Sequence, residues 1–321
     1  MTRKQVSEDQ MIDHKKSKKE EEKMFEGFEQ QRIAVNGVEL NVRVGGQGPA
    51  LVLLHGYPQT HVMWRLIAPA LTDTHTVVVF DTRGYGDSDC PPSDPDHLVY
   101  SKRTMAADVA ALMTHLGFEK FAILSHDRGA RVGYRTALDY PDRVTRYVSL
   151  DVVPTHDMWL GTDKNRAMGG FHWTFLAQPA PQPERMIGHD PDLWLETLLA
   201  SWAAEGFEFD RDALDEYKRA YRNPEVIRGT CEDYRAGATC DDAHDQADKE
   251  SGRKIQCPVM CLWGGARGKG GPKSESPLDI WRALCAHEVT GQAIAESGHF
   301  LPEEAPDAVL FHVKPFLSAD A

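Results

Sequence analysis

The chain reads as an α/β protein, with a mainly parallel sheet, helices on both faces and an inserted helical cap. Three observations predict this. Short apolar runs alternate with helically spaced segments from residue 50 to about 154, the rhythm of a parallel sheet covered on both faces. The rhythm stops between 155 and 245, where strand patterns are lacking and aromatics, prolines and helical stretches take over. It resumes at Pro258 and runs to the C-terminus. The expected division is a core of 24–154 and 246–321 with a cap of 155–245. A charged extension, 1–23, precedes them.

In the extension, mixed charge without aromatics is the composition of a disordered segment or a frayed solvent helix. Met24 follows it and is a candidate natural start. Two alternating segments, 32–36 and 39–44, flank Asn36-Gly37 and predict a hairpin. Ala50 to Leu54 is a short buried strand that ends in His55-Gly56-Tyr57-Pro58, and residues 61–72 look helical. Thr76 to Phe80 is a second buried strand. The spacing of Met105, Val109, Leu112 and Leu116 predicts a helix over 103–116. A strand over 121–124 leads to a helix reaching Tyr140, stopped by Pro141, and a strand over 147–153 has Asp151 in its C-terminal end. Inside the cap, 191–204 and 210–221 read as helices. The core closes with a strand over 258–263, a helix over 278–285, a strand near 290–295 and a last helix over 303–317.

Composition narrows the function classes. The length of 321 residues suits one large domain with an insertion, or two domains. A net charge of −13 argues against a nucleic-acid binder, and it means local arginines must draw in any anionic substrate. The six cysteines form no Cys-x-x-Cys pair, which favours reduced thiols in a cytoplasm over zinc or a disulfide framework. The 14 histidines contain no His-Glu-x-x-His, so neither a metal nor a cofactor is expected. No stretch approaches the roughly 18 apolar residues of a membrane span, and the N-terminus lacks the apolar core of a signal peptide.

The chemistry centres on residues 121–131, Phe-Ala-Ile-Leu-Ser-His-Asp-Arg-Gly-Ala-Arg. An apolar strand enters a small–x–nucleophile–x–small turn, and a helix follows. This is the nucleophile-elbow pattern, with Ser125 for its first glycine and Asp127 for its serine. A carboxylate there can attack a saturated carbon and form an alkyl ester. The bland alternative is an aspartate capping a helix. The flanking Arg128 and Arg131 point to an anionic substrate, because a guanidinium fork matches a carboxylate; pairing with acidic surface neighbours is their alternative.

The sheet, the His-Gly-x-Pro loop and the elbow resemble the α/β-hydrolase fold. Four segments, 126–131, 171–181, 231–238 and 296–304, together resemble fluoroacetate (haloacetate) dehalogenases from about Met24 onward. The resemblance implies Asp127 as nucleophile and His299 as the base that activates water. It implies Arg128 and Arg131 on the substrate carboxylate, and His172, Trp173 and Tyr234 as halide donors. An aromatic core is the bland alternative for the last three. The acid partner of His299 is expected at Asp151, because the strand over 258–263 leads to no acid until Glu275; Asp157 is the local alternative. Tyr57 stands where the family usually has phenylalanine, and both it and Trp202 are candidate pocket walls.

The implied reaction is haloacetate to glycolate plus halide through an aspartyl ester. Its partners are a small anionic haloacid and water, with no membrane or nucleic acid, in a cytoplasmic homodimer. An epoxide hydrolase shares the nucleophile, and Tyr217, Tyr221 and Tyr234 are available to protonate an epoxide. A non-catalytic receptor for a small carboxylate is the reading from a different class.

Overall fold

The computed structural model describes residues 23–266 and 277–318. The expected extension therefore lies outside the described residues, except for Lys23. Eight strands form one sheet: β1 Glu29–Val35, β2 Val38–Gly46, β3 Ala50–Leu54, β4 Thr76–Phe80, β5 Phe121–His126, β6 Val144–Leu150, β7 Val259–Gly264 and β8 Val289–Ile294. Their order is β1-β2-β4-β3-β5-β6-β7-β8. β1 and β2 form the expected hairpin, with Asn36 and Gly37 both at positive φ as a tight hairpin turn requires. β2 joins β4 antiparallel, and every pairing from β4 to β8 is parallel.

The core helices are α1 Lys102–His115 and α2 Asp127–Asp139, then α11 Pro277–Leu284, α12 Leu301–Glu304 and α13 Pro306–Ser318. Between β6 and β7 lie α3 Thr155–Leu160, α4 Lys164–Gly169, α5 Phe171–Leu176, α6 Gln182–His189, α7 Pro191–Trp202, α8 Arg211–Tyr221, α9 Pro224–Ala238 and α10 Cys240–Glu250. Strand alternation splits the interior in two. Leu51, Leu53, Val77 and Val79 face one cluster, which continues into the inserted helices through Trp173, Leu195, Tyr217 and Tyr234. Val52, Leu54, Val78 and Phe80 face the other, with Val109, Tyr134 and Trp281. No helix of the described residues is long and apolar enough to cross a membrane.

Four elements differ from expectation. Residues 61–72 form two 3₁₀ turns, His61–Trp64 and Pro69–Leu71. The N–H and ring Nδ1 of His61 both bind Asp81 Oδ1, each at 2.9 Å, which diverts this segment from a regular helix. Asp151 lies beyond the end of β6 at φ 60° instead of inside a strand. The last helix is two pieces, because Pro306 disfavours helical geometry at Ala305, whose φ is −143°. Finally, the boundary expected at 245 falls inside α10. Asp245 and Asp248 lie one turn apart on that helix, and both bind the buried Arg135 of α2. Replacing Arg135 with Met removes the guanidinium they share, leaving Asp248 with Arg253 and Asp245 with the Tyr134 hydroxyl and the His156 N–H. The expected loss is about 3–5 kcal/mol of stability in urea titrations; a change below about 1 kcal/mol would remove Arg135 as the anchor of α10.

Candidate active site

The strand order reverses at β3: the chain passes from β3 to β4 on one side and then to β5 on the other. Ligands in parallel α/β sheets bind in the crevice at such a point, beyond the carboxyl ends of the strands. Asp127 stands there, directly after β5, at φ 49°. Aspartate tolerates this left-handed conformation better than most residues. The β3 loop presses against it. A Cβ on Gly56 would lie 2.5 Å from Asp127 Cβ, so position 56 has no room for a side chain. Ser125, in place of the usual glycine, donates to Val148 O at 2.9 Å and so leaves no unmet donor.

The closeness of that loop supplies a donor: the Tyr57 N–H binds Asp127 Oδ1 at 2.9 Å. Burial alone would raise the pKa of Asp127. In the acid range where Asp127 itself titrates, the positive charges of His299, His126, Arg131 and Arg128 outweigh it and lower the value to about 2. Asp127 is therefore ionised at neutral pH.

His299 Nε2 lies 3.6 Å from Asp127 Oδ2, and its Nδ1 lies 2.5 Å from Asp151 Oδ2. Asp151 Oδ1 accepts the Gly264 N–H at 3.0 Å, so the end of β7 braces the acid that follows β6. Asp157, the alternative, is instead bound to Lys249 at 2.6 Å. Four contacts hold the His299 loop. Its own N–H reaches Trp202 O at 2.8 Å, and its carbonyl lies 2.7 Å from His126 Nε2. The Glu304 carboxylate accepts the N–H groups of Gly298 and Phe300 at 2.7 and 2.6 Å.

The two arginines are not equivalent. Arg128 is buried, and its Nε and Nη2 bind the Asp233 carboxylate at 2.9 and 2.7 Å. Its Nη1 is buried without a hydrogen-bond partner among the described residues. Arg131 pairs with no carboxylate among them. Its Nη1 donates to Val153 O at 2.8 Å, and its buried Nε has no partner. Both guanidinium groups lie over the Trp173 ring, at 5.1 and 4.5 Å from its centroid. Two unmet N–H donors thus lie beside one aromatic wall.

His172, Trp173 and Tyr234 meet above this point. The Tyr234 ring lies 5.6 Å from His172 and 5.4 Å from Trp173, edge-on to each. Burial lowers the His172 pKa to about 3, so its ring is neutral at neutral pH, and its Nδ1 has no partner among the described residues. Tyr57 stacks against His172 at 6.3 Å, and Trp202 lies 4.4 Å from the same ring. The Tyr57 hydroxyl does not face solvent: it meets the Tyr221 hydroxyl at 2.8 Å and accepts from Trp194 Nε1 at 2.7 Å.

All ten residues singled out from the sequence therefore converge on one crevice. Sequence reasoning missed Asp233, Glu304, His126 and Trp194. The first two lie in segments that carried the family resemblance, 231–238 and 296–304, but no pattern singled them out there. Nothing local marked the other two.

The chain belongs to the α/β-hydrolase family, whose α/β-hydrolase fold pattern matches residues 49–306. Within that class it is 44% identical to a fluoroacetate dehalogenase from Burkholderia sp, over 92% of this chain and 95% of that protein. It is 32% identical to a soluble epoxide hydrolase from Corynebacterium sp. (strain C12), over 86% of this chain and 92% of the relative. A solved structure from Nostoc sp PCC 7120, described as an α/β hydrolase, superposes with a TM-score of 0.87 at 46% identity, covering 91% of this chain and 99% of that one.

A carboxyl with a depressed folded-state pKa stabilises the fold above about pH 4 and loses that contribution as pH falls toward 2. For Asp127, a drop from 3.8 to about 2 is worth roughly 2 kcal/mol. In urea titrations from pH 5 to 2, the wild type should lose that much more stability than Asp127→Asn. Equal losses would contradict the ionised, charge-stabilised carboxylate.

Proposed function

We propose that this enzyme hydrolyses the carbon–halogen bond of haloacetate, releasing halide and glycolate. The observation that carries the proposal is the pair of buried, unpartnered donors, Arg128 Nη1 and Arg131 Nε, within reach of the Asp127 crevice. A substrate carboxylate satisfies both. It also anchors a two-carbon acid with its halogen-bearing carbon toward Asp127, and orientation of this kind supplies much of the rate.

Asp127 Oδ1 is held by the Tyr57 N–H, so Oδ2 is the oxygen that attacks. A C–O bond forms to Oδ2 as the C–halogen bond breaks, and the leaving electron pair goes to the halide. The helical insertion acts as a cap in this step: His172, Trp173 and Tyr234 donate to the departing halide as its charge develops. The Nδ1 contact with Asp151 leaves His299 Nε2 as the bare nitrogen of a neutral ring. The 3.6 Å gap to Oδ2 suits a group acting through water. That water loses its proton to Nε2 and attacks the ester carbonyl. The Tyr57 N–H then stabilises the oxyanion on Oδ1; collapse breaks the Cγ–Oδ2 bond, glycolate leaves with that oxygen and takes the proton back from Nε2, and the new Asp127 carboxyl loses its proton to solvent. Asp151 stabilises the imidazolium formed on the way.

The epoxide-hydrolase alternative needs hydroxyl donors from the cap. Tyr217 is bound to Glu303 and Tyr221 to Tyr57, which leaves Tyr234 alone of the three. We extend the proposal to a homodimer in the cytoplasm. The family resemblance supports the dimer, and six free cysteines are compatible with a reducing compartment.

Halide release from fluoroacetate and chloroacetate, with Asp127→Asn as control, tests the reaction. Both halides should appear and vanish in the variant. His299→Asn should stall hydrolysis and leave one carboxymethyl group on Asp127, visible by mass spectrometry. Release of halide by Asp127→Asn at the wild-type rate would end the proposal.

A further inference from the structure

Arg128 poses an electrostatic problem. A guanidinium bound by two nitrogens to one carboxylate forms a nearly neutral pair, which attracts a second carboxylate weakly. Asp233 Oδ1, which accepts from Arg128 Nη2, also meets Lys102, the first residue of α1. It is buried, and its ammonium sits on Asp233 Oδ1. Asp233 is thereby shared between two cations. The Tyr85 hydroxyl donates to its other oxygen at 2.7 Å. A second buried carboxylate, Asp241 of α10, accepts the Lys102 N–H at 2.7 Å, and its other oxygen has no partner among the described residues. Two cations, Lys102 and Arg128, therefore meet two carboxylates, Asp233 and Asp241. Without Lys102, Arg128 alone would face both, and the surplus negative charge would sit behind the substrate site.

We propose that Lys102 is a positioning residue for substrate binding: acting through Asp233, it leaves Arg128 enough positive charge, and its Nη1 the right direction, to take the substrate carboxylate. The inference rests on the haloacid reading above. Lys102 touches neither substrate nor reacting atoms, so its effect belongs in KM. A hydrogen bond to a charged group is worth roughly 1.5–3 kcal/mol, so weakening the Arg128 contact should raise KM on the order of 10- to 100-fold.

The experiment is steady-state halide release from chloroacetate by Lys102→Met, Lys102→Arg and the double variant Lys102→Met/Asp233→Asn, with chloroacetamide as a neutral comparison substrate. Lys102→Met should show the KM rise with kcat within about threefold. Lys102→Arg, which keeps the cation, should restore KM. The double variant restores the balance of charges and should have a lower KM than Lys102→Met. A merely structural lysine predicts the reverse, a double variant with a higher KM than Lys102→Met, and that result or an unchanged KM in Lys102→Met overturns the inference. Should Lys102→Met not fold, Tyr85→Phe serves in its place. It removes one hydrogen bond from Asp233, whose charge then bears harder on Arg128. KM should rise severalfold, and an unchanged KM again overturns the inference. Failure of the haloacid reading looks different: the wild type would turn over chloroacetamide as readily as chloroacetate, and the inference would fall with it.

Discussion

The close approach of the β3 loop to Asp127 is the contact on which the rest of the site depends. It requires a glycine at position 56, a left-handed Asp127 and two parallel strands that end side by side. Given those three, the Tyr57 N–H has only one place to point. The carboxylate then has one oxygen held and one available. The same crowding recurs at the base: a Cβ on Gly264 would lie 1.9 Å from the Gly298 carbonyl, so the end of β7 and the His299 loop touch through bare backbone. Asp151, His299 and Asp127 thus form a line whose spacing is set by main chain instead of flexible side chains.

The helical insertion is tied to this frame by directional contacts. Arg128 reaches Asp233, Tyr57 reaches Tyr221 and Trp194, and Arg65 and Tyr217 converge on the buried Glu303. Apolar packing alone would let the inserted helices slide by fractions of an ångström at little cost. Buried charges and hydroxyls do not, because each slip leaves a polar group unmet. The proposed halide site needs that rigidity, since its three donors would have to stay aimed at one small ion.

Much of this was legible in the sequence. The elbow could be read because a sharp strand-to-helix turn demands small residues on both sides of the nucleophile. The parallel sheet followed from apolar runs too short for helices. Residues 61–72 misled because their apolar spacing is helical, whereas their backbone is captured by Asp81, a residue distant in sequence. The burial of Arg128 on Asp233 depends on where α9 lands, which no local pattern encodes. His172 and Trp173 of α5 meet Tyr234 of α9 only once the chain is folded, and only the family resemblance linked them. Physical reasoning on any one of them gives an aromatic core.

Arg131 has a thermodynamic consequence. A buried guanidinium without a carboxylate partner among the described residues, and with burial pulling its pKa down, makes the protein more stable when it holds an anion. Ligand occupancy and fold stability are then the same free energy seen from two sides. Glycolate carries the carboxylate that the substrate brought in, and so would acetate. On the proposed reading, the charge that recruits the reactant also holds the product, and the spent acid must give way before the next one enters.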